Sequence, residues 1–555
     1  MSIGLAAVLA SLVFASSALA AWSGASQVVG FSQGSNVVTS LDDDGTQQLG
    51  FLATGSAPQG QGLYSLTRAP GSTGSATWAA KNVSGPINNG RFAFARNGAG
   101  VVAWIGAGNS IWASYRPAGK AWGSPVAIET PPKLGKGPLP VISVKGDAAV
   151  VWSRKSDVDL REPDQIRYSA TANGTWSAAA TLASIELAQP VDEEDFLSCL
   201  PGSDLVAAML PDGSPIVAWN DPYGSFKQEV TNLANPPASG STELGLCGVK
   251  VATTSSTVAV APSPRPAIGW GATPAGALPY WYPVGIEVDP VSGRTALTVR
   301  GNDDAVTDDN AVCDFPGIQE SDYCFETAAF QTRVSLGSGS ALTHPGTLTA
   351  NLVRVGLRNG FLAAATSTPA ELKAGVGTTF PALSPLSPSA VLTVSAIAVG
   401  SKGEAELLIH NGSKLMAYSA PAGGQFGTAA DIQTGSQGGV SVAIGCNGDA
   451  LAAWNRGSSG VFAATATSGA AQCEGSGPNP DPDPGPGTGP SADPPDSGPS
   501  AGSQSNAPAG GSATPPVPTP SSGKKPLKCK KGFKKKTVRG TAKCVKAKPK
   551  KDKKH

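Results

Sequence analysis

The feature that most constrains this chain is a repeat. NGAGVVAWIGAGNSIWASYRPAGKAWGSPVAI (residues 97–128) returns as KGDAAVVWSRKSDVDLREPDQIRYSATANGTWSAAATL (145–182). Each copy has a Gly or Asp turn, an apolar run ending in Trp, a run around a second aromatic, then a Gly turn followed by Trp and an alternating run. The first half recurs at 212–230 (DGSPIVAWNDPYGSFKQEV) and at 447–467 (NGDALAAWNRGSSGVFAATAT). The segment 401–432 keeps the frame with Ile409 and Phe426 at the Trp positions, and 43–83 and 289–306 are looser copies.

Runs of four to seven residues rich in Val, Ile, Ala and Trp, broken by Gly, Asn and Pro, read as strands joined by tight turns. The two clearest copies begin at 97 and 145, the spacing of one four-stranded propeller blade. The expected fold is therefore all-β, a β-propeller. Seven units predict about seven blades, with six or eight open because 231–400 is too irregular to place every strand. The last copy stops at Thr467, before its Gly-Trp strand, whereas AWSGASQVV (21–29) resembles AWGSPVAIE (121–129). The N-terminal segment is thus expected to supply the missing outer strand and close the ring, removing two open sheet edges.

Residues 1–20 carry an apolar stretch and then Ala18-Leu19-Ala20, a signal-peptide pattern that places the mature start at Ala21. No later stretch has the length of a membrane span. Residues 21–474 form the expected propeller, 475–523 a disordered Pro/Gly/Ser-rich linker, and 524–555 a Lys-rich tail. Charge divides along the same lines. The body holds 25 Lys and Arg against 35 Asp and Glu, a net −10, and the tail 16 against one, a net +15. In the tail, Lys530, Lys531, Lys534, Lys535, Lys536 and Arg539 are candidates for holding an anionic polymer. Phe533 is its sole aromatic, so specific nucleic-acid recognition is not provided for.

The cysteines, Cys199, Cys247, Cys313, Cys324, Cys446, Cys473, Cys529 and Cys544, are an even set without a CxxC pair, which favours disulfides over metal. Pairing of neighbours in sequence (199 with 247, 313 with 324, 446 with 473, 529 with 544) is the simplest of many connectivities. Asp303, Asp304, Asp308, Asp309 and Asp314 offer hard oxygen ligands that could hold Ca²⁺, but not in the EF-hand register, and a solvated acidic loop competes with that reading. No other cofactor is expected. DDD (42–44) and DEED (192–195) read as turns. The recurrent Trp104, Trp152, Trp219 and Trp454 could stack on sugars, but repetition at one internal position favours packing between blades.

Catalytic signals are sparse. Glu193, Glu194, Glu404 and Glu406 are available acids without a local context that marks a proton donor. His344 and His410 are the body histidines, and no GxSxG elbow occurs.

The body resembles secreted bacterial propellers of the sialidase-like or repeat-propeller kind. GSTGSATW (71–78) keeps Thr77 and Trp78 of the Asp-box turn Ser-x-Asp-x-Gly-x-Thr-Trp, with Thr73 and Ser75 where Asp and Gly belong. The tail CKKGFKKKTVRGTAKCVK (529–546) resembles a terminal segment of exported proteins of high-GC Gram-positive bacteria. That likeness supports an extracellular address and implies no known activity; a monomeric protein, held at the cell wall through an anionic polymer or glycan, is expected. The function expected is extracellular binding or scaffolding without catalysis. The alternative is a glycan-processing propeller enzyme, which calls for convergent carboxylates and arginines in the central funnel.

Overall fold

The structure is a computed structural model. It describes residues 21–28, 31–155, 164–185, 204–232, 238–261, 280–302, 331–348 and 352–468, with short gaps inside these stretches, together with 533–538 and 541–546.

The described strands of the body form eight antiparallel blades. Blade 1 comprises Gly34–Leu41, Gln47–Ala53, Gly62–Arg68 and Ala79–Asn82; blade 2 comprises Arg91–Phe94, Gly100–Ile105, Ile111–Arg116 and Val126–Glu129. Blade 3 follows with Leu139–Ile142, Ala148–Lys155, Asp164–Thr171 and Ala180–Ile185. Blade 4 (Leu205–Met209, Pro215–Asn232, Ala238–Ala252, Thr257–Ala261) and blade 5 (Tyr280–Val288, Arg294–Asn302, Gln331–Ser338, Ala341–Leu348) contain longer strands. Blade 6 is Leu352–Arg358, Phe361–Ser367, Leu372–Gly377 and Ser384–Pro385, and blade 7 is Thr393–Val399, Ala405–His410, Lys414–Ala420 and Ala430–Thr434. The first strand of every blade lines one shared central cavity, which makes the arrangement a ring.

Blade 8 contains Gly438–Ile444, Ala450–Asn455 and Val461–Thr467, and its outer edge is covered by Ala21–Trp22 and Ser26–Gln27. Ala21 lies opposite Thr467 and Gln27 opposite Phe462, so the N-terminal segment closes the ring as its resemblance to 121–129 implies. Ser23 N donates to Thr465 O at 2.7 Å, and Val28 N to Val461 O at 2.8 Å.

The repeat predicts about seven blades, with eight open; the structure has eight, and the unit the repeat does not show is blade 6. In six of the other blades the fifth residue of the second strand is large (Phe51, Trp104, Trp152, Trp219, Ile409 and Trp454), whereas blade 5 has Thr298. Blade 6 has Ala365 there, inside FLAAATS, and only the Asn359-Gly360 turn survives as a repeat signal. Asn359 (φ 47°) and Gly360 (φ 80°) both occupy the left-handed region that such a turn requires.

The tryptophans pack the blades together. Trp104, Trp152, Trp219 and Trp454 are 4%, 0%, 1% and 0% exposed, which leaves no face for a sugar. Trp152 Nε1 donates to Glu129 Oε2 of blade 2 at 2.8 Å, and Arg167 Nη2 holds the other carboxylate oxygen at 3.0 Å. Trp219 Nε1 reaches Asp221 Oδ1 at 3.2 Å, and Lys250 Nζ pairs with Asp221 at 2.7 Å. Trp78 lies under the Arg68 guanidinium at 4.4 Å, and Trp122 meets Phe92 edge-on at 5.8 Å.

The chain divides into two compact units, residues 1–481 and 482–555. In the second, Phe533–Val538 and Thr541–Lys546 pair as a hairpin with Lys535 opposite Cys544. No helix among the described residues is long and apolar enough to cross a membrane.

Candidate functional site

A cavity of about 530 Å³ runs along the ring axis, walled by the last residues of all eight inner strands. Small or apolar side chains such as Ala93, Ala208, Gly356, Leu357, Ala398 and Ala443 occupy most positions of the wall, but the surface open to the cavity is mainly polar. Thr39 and Ser40 supply hydroxyls, and Arg96, Glu287 and Arg358 supply the charges. The volume suits a monosaccharide-sized ligand, since small-molecule pockets span about 300–1,000 Å³.

Each charged residue has a position set by its strand. Glu287 is the penultimate residue of Tyr280–Val288, between Ile286 and the half-buried Val288, and its side chain is exposed to the channel. Desolvation among the strand walls pushes its carboxyl up to about 7, while the Arg354 guanidinium of blade 6 pulls the other way. Arg354 is held below its ordinary value by burial, an effect that Glu287 opposes.

Arg96 and Arg358 stand where the inner strands turn outward. Blades 2 and 6 are opposite in an eight-blade ring, yet both arginines donate to one oxygen, the Ile444 carbonyl of blade 8. Arg358 Nη1 is 3.0 Å from it, and Arg96 Nη2 also bonds it. Together they bar the channel at its turn end. Arg96 Nη1 has one long ion pair, 3.5 Å to the half-exposed Asp43.

Around this bar the turns are tied from blade to blade. Asp289 accepts from Gly360 N at 2.6 Å and Asn359 N at 3.1 Å, Asn359 Nδ2 donates to Ser401 O at 3.1 Å, and Ser401 Oγ to Cys446 O at 3.3 Å. Asp43 N continues the belt to Arg96 O at 2.8 Å. DDD (42–44) is a turn, as its sequence suggests. Asp44 caps Thr46 N at 2.8 Å, and Asp42 is buried against Gln48, its carboxyl pushed up to about 7 by burial.

Glu404 belongs to this belt, 2.9 Å from Lys402 N, and adds charge near Arg96. Glu406 is 5% exposed in blade 7, away from the channel, and accepts from Ser419 Oγ at 2.8 Å. The Trp22 indole of the closing strand faces the same carboxyl without completing a hydrogen bond. Burial pushes Glu406 up to about 8. His410 ends its strand away from the channel lining. Cys446 is disulfide-bonded, to a cysteine whose side chain is outside those described.

Several sequence candidates lie outside the described residues: Glu193, Glu194, the five aspartates from Asp303 to Asp314, Lys530, Lys531 and Arg539. Among the described residues no group of three or more His, Cys, Asp or Glu is placed to hold a metal ion. Sequence reading missed Arg96, Glu287, Arg354 and Arg358. The available signal was a charged residue in or just after an inner strand, beside the Gly turn.

No protein-family model matches the chain, and no curated protein matches it. Among solved structures it is similar to a sialidase from Streptococcus pneumoniae (8% identity, TM-score 0.30, covering 80% of this chain and 91% of that one). It is also similar to an α-L-arabinofuranosidase from Fusarium graminearum (11% identity, TM-score 0.33, 80% and 98%) and to the Dos1 propeller (8% identity, TM-score 0.39, 80% and 95%). At these values the likeness is one of propeller architecture alone.

Proposed function

We propose that this chain is an exported, non-catalytic propeller that binds a glycan or other anionic polymer of the cell envelope in its axial channel, and that its cationic tail retains it there. The observation that carries the reading is the channel wall. Two arginines, Arg96 and Arg358, line it and a third, Arg354, acts on Glu287, which is the one carboxylate among its described residues. Two-carboxylate glycoside hydrolysis needs a second acid at a set distance across the scissile bond, and no described wall residue supplies it.

A second reading, a glycan-processing enzyme, is favoured by one specific feature. A carboxyl pushed up to about 7 is in the range of a general acid, so Glu287 could donate a proton to a leaving group. The sialidase and arabinofuranosidase neighbours lie nearer this alternative, through architecture only.

Export and retention follow from the leader-like residues 1–20 and the +15 tail. The test is a pull-down of the mature chain, and of one ending at residue 474, on isolated envelopes across a salt series. The full chain is expected to be held at about 0.1 M salt and released near 1 M, where the screening length falls to about 3 Å. The shorter chain should be retained at least tenfold less. Equal, salt-independent retention of both would remove the tail from the account.

A further inference from the structure

We propose that Cys446 is bridged to Cys473, and that this bond clasps the seam of the ring and carries the linker out at the turn end, as a second covalent tether that a dithiol can open. The inference stands apart from the reading of the channel.

The first observation is where the body ends. Val461–Thr467 is the last strand of blade 8, and Ser468 follows it at the turn end. Ser468 Oγ donates to Asn447 O at 2.6 Å, and Ser468 N to Asp449 Oδ1 at 2.7 Å. Asn447 Nδ2 holds the other oxygen of that carboxylate at 2.8 Å. The chain therefore leaves blade 8 pinned to the turn that also carries Cys446, one residue before Asn447.

Cys446 is disulfide-bonded, and topology selects its partner. Inner strands begin at the far end of the ring and finish at the turn end. Cys247 lies beside Tyr280, the first residue of the inner strand of blade 5. Cys199 belongs to the connection that enters Leu205, the first residue of the inner strand of blade 4. Cys313 and Cys324 belong to the connection that leaves Asn302, opposite Tyr280. All four fall on chain joined to the far end. Cys529 and Cys544 belong to the second compact unit. Cys473 is five residues beyond Ser468, a reach of up to about 17 Å. A disulfide requires Cα atoms within about 7 Å, which that reach allows.

The position gives the bond its consequences. The Cys446 sulfur rests 3.5 Å from the Asp43 carbonyl oxygen of blade 1, so the bond sits where blade 8 meets blade 1. The closing strand fastens the outer edge of the same blade through two short pairings of two residues each. A covalent clasp adds to that interrupted ladder. Forming it breaks two S–H bonds and makes one S–S bond, while the electron pair and two protons pass to a donor disulfide that leaves as two thiols. Cys446 is half-exposed, so a dithiol reaches its sulfur and reverses the exchange. While the bond is closed, a cut anywhere in 469–472 leaves the chain from Cys473 onward attached through Cys446. Reduction frees it.

The test uses the chain from residue 21 onward, folded with a glutathione redox pair. Non-reducing tryptic mapping reads the pairing directly, because cleavage at Arg456 puts Cys446 and Cys473 on separate peptides. The expected result is one linked pair of these two peptides. Cys446 linked to any other cysteine would overturn the proposal. A second form carries the recognition sequence of a specific protease between Ala470 and Ala471. After cutting, it should run as one species without reductant and as two with dithiothreitol, and as two in either case once Cys446→Ala is added. Release of the tail by cutting alone, with both cysteines present, would remove the tether. Cys446→Ala, Cys473→Ala and the double variant should share one melt, roughly 5 °C below the native chain. A native melt in any of them would remove the clasp.

Discussion

A chain lacking residues 21–28 is expected to lose on the order of 5 kcal/mol of stability, read as a melt lowered by roughly 10 °C, and to self-associate. Val28 is 0% exposed and packs with Phe31, Phe51 and Val461, so this segment joins blade 8 to blade 1. Trp22 covers Trp454 and Ala452 on one side and Ala450 on the other. Removing the segment uncovers both clusters and leaves Val461–Thr467 as an open sheet edge, a template for a strand of a second copy. Trp22→Ala in the intact chain should cost a smaller part, about 2 kcal/mol, because that indole is only partly buried. Thermal melts with light scattering check both. An unchanged melt and a monomer after deletion would mean that the ring does not depend on this closure.

The second large effect concerns Glu406. Its folded carboxyl is raised from 4.5 to about 8, so between those values the folded state keeps a proton that the unfolded chain has lost. Stability therefore falls as pH rises from about 4.5 to about 8, and above that the full penalty of a buried carboxylate applies, on the order of 4 kcal/mol. No described cation lies within ion-pair distance of Glu406 to offset it. Glu406→Gln keeps an acceptor for Ser419 Oγ and removes the charge. The variant is expected to match the native chain near pH 5 and to exceed its stability by a few kcal/mol at pH 8.5, measured by denaturant melts. Asp42, raised to about 7, leaves a residual slope of the same sign. A Gln variant no more stable than the native chain at pH 8.5 would show that Glu406 ionises without cost.

Much of this fold is legible in the sequence because its repeat is written in large side chains. A Trp at the fifth position of the second strand marks blades 2, 3, 4 and 8, and AWSGASQVV reveals the closing strand by likeness to an outer strand. Blade 6 is hidden because Ala363, Ala364 and Ala365 fill its core with methyl groups, which carry no repeat signature. Trp281 shows the opposite failure. It is 0% exposed under Arg333 at 4.4 Å, an aromatic in an inner strand that matches no repeat position. The channel is less legible still. Arg96, Glu287 and Arg358 are far apart in sequence and meet only because eight strands share one axis. ARNG and LRNG share an arginine beside a Gly turn, but neither they nor GIEV announce that the three meet on one axis.

The central claim is that the channel binds its ligand without cleaving it. The direct measurement incubates isolated envelope glycan with the chain from residue 21 onward and with its Glu287→Gln variant, following binding and the release of new reducing ends together. The account predicts saturable binding, retained within a few-fold in Glu287→Gln, and no reducing ends from either protein. Reducing ends that appear with the native chain and vanish with Glu287→Gln would contradict it, and would make Glu287 the proton donor of an enzyme.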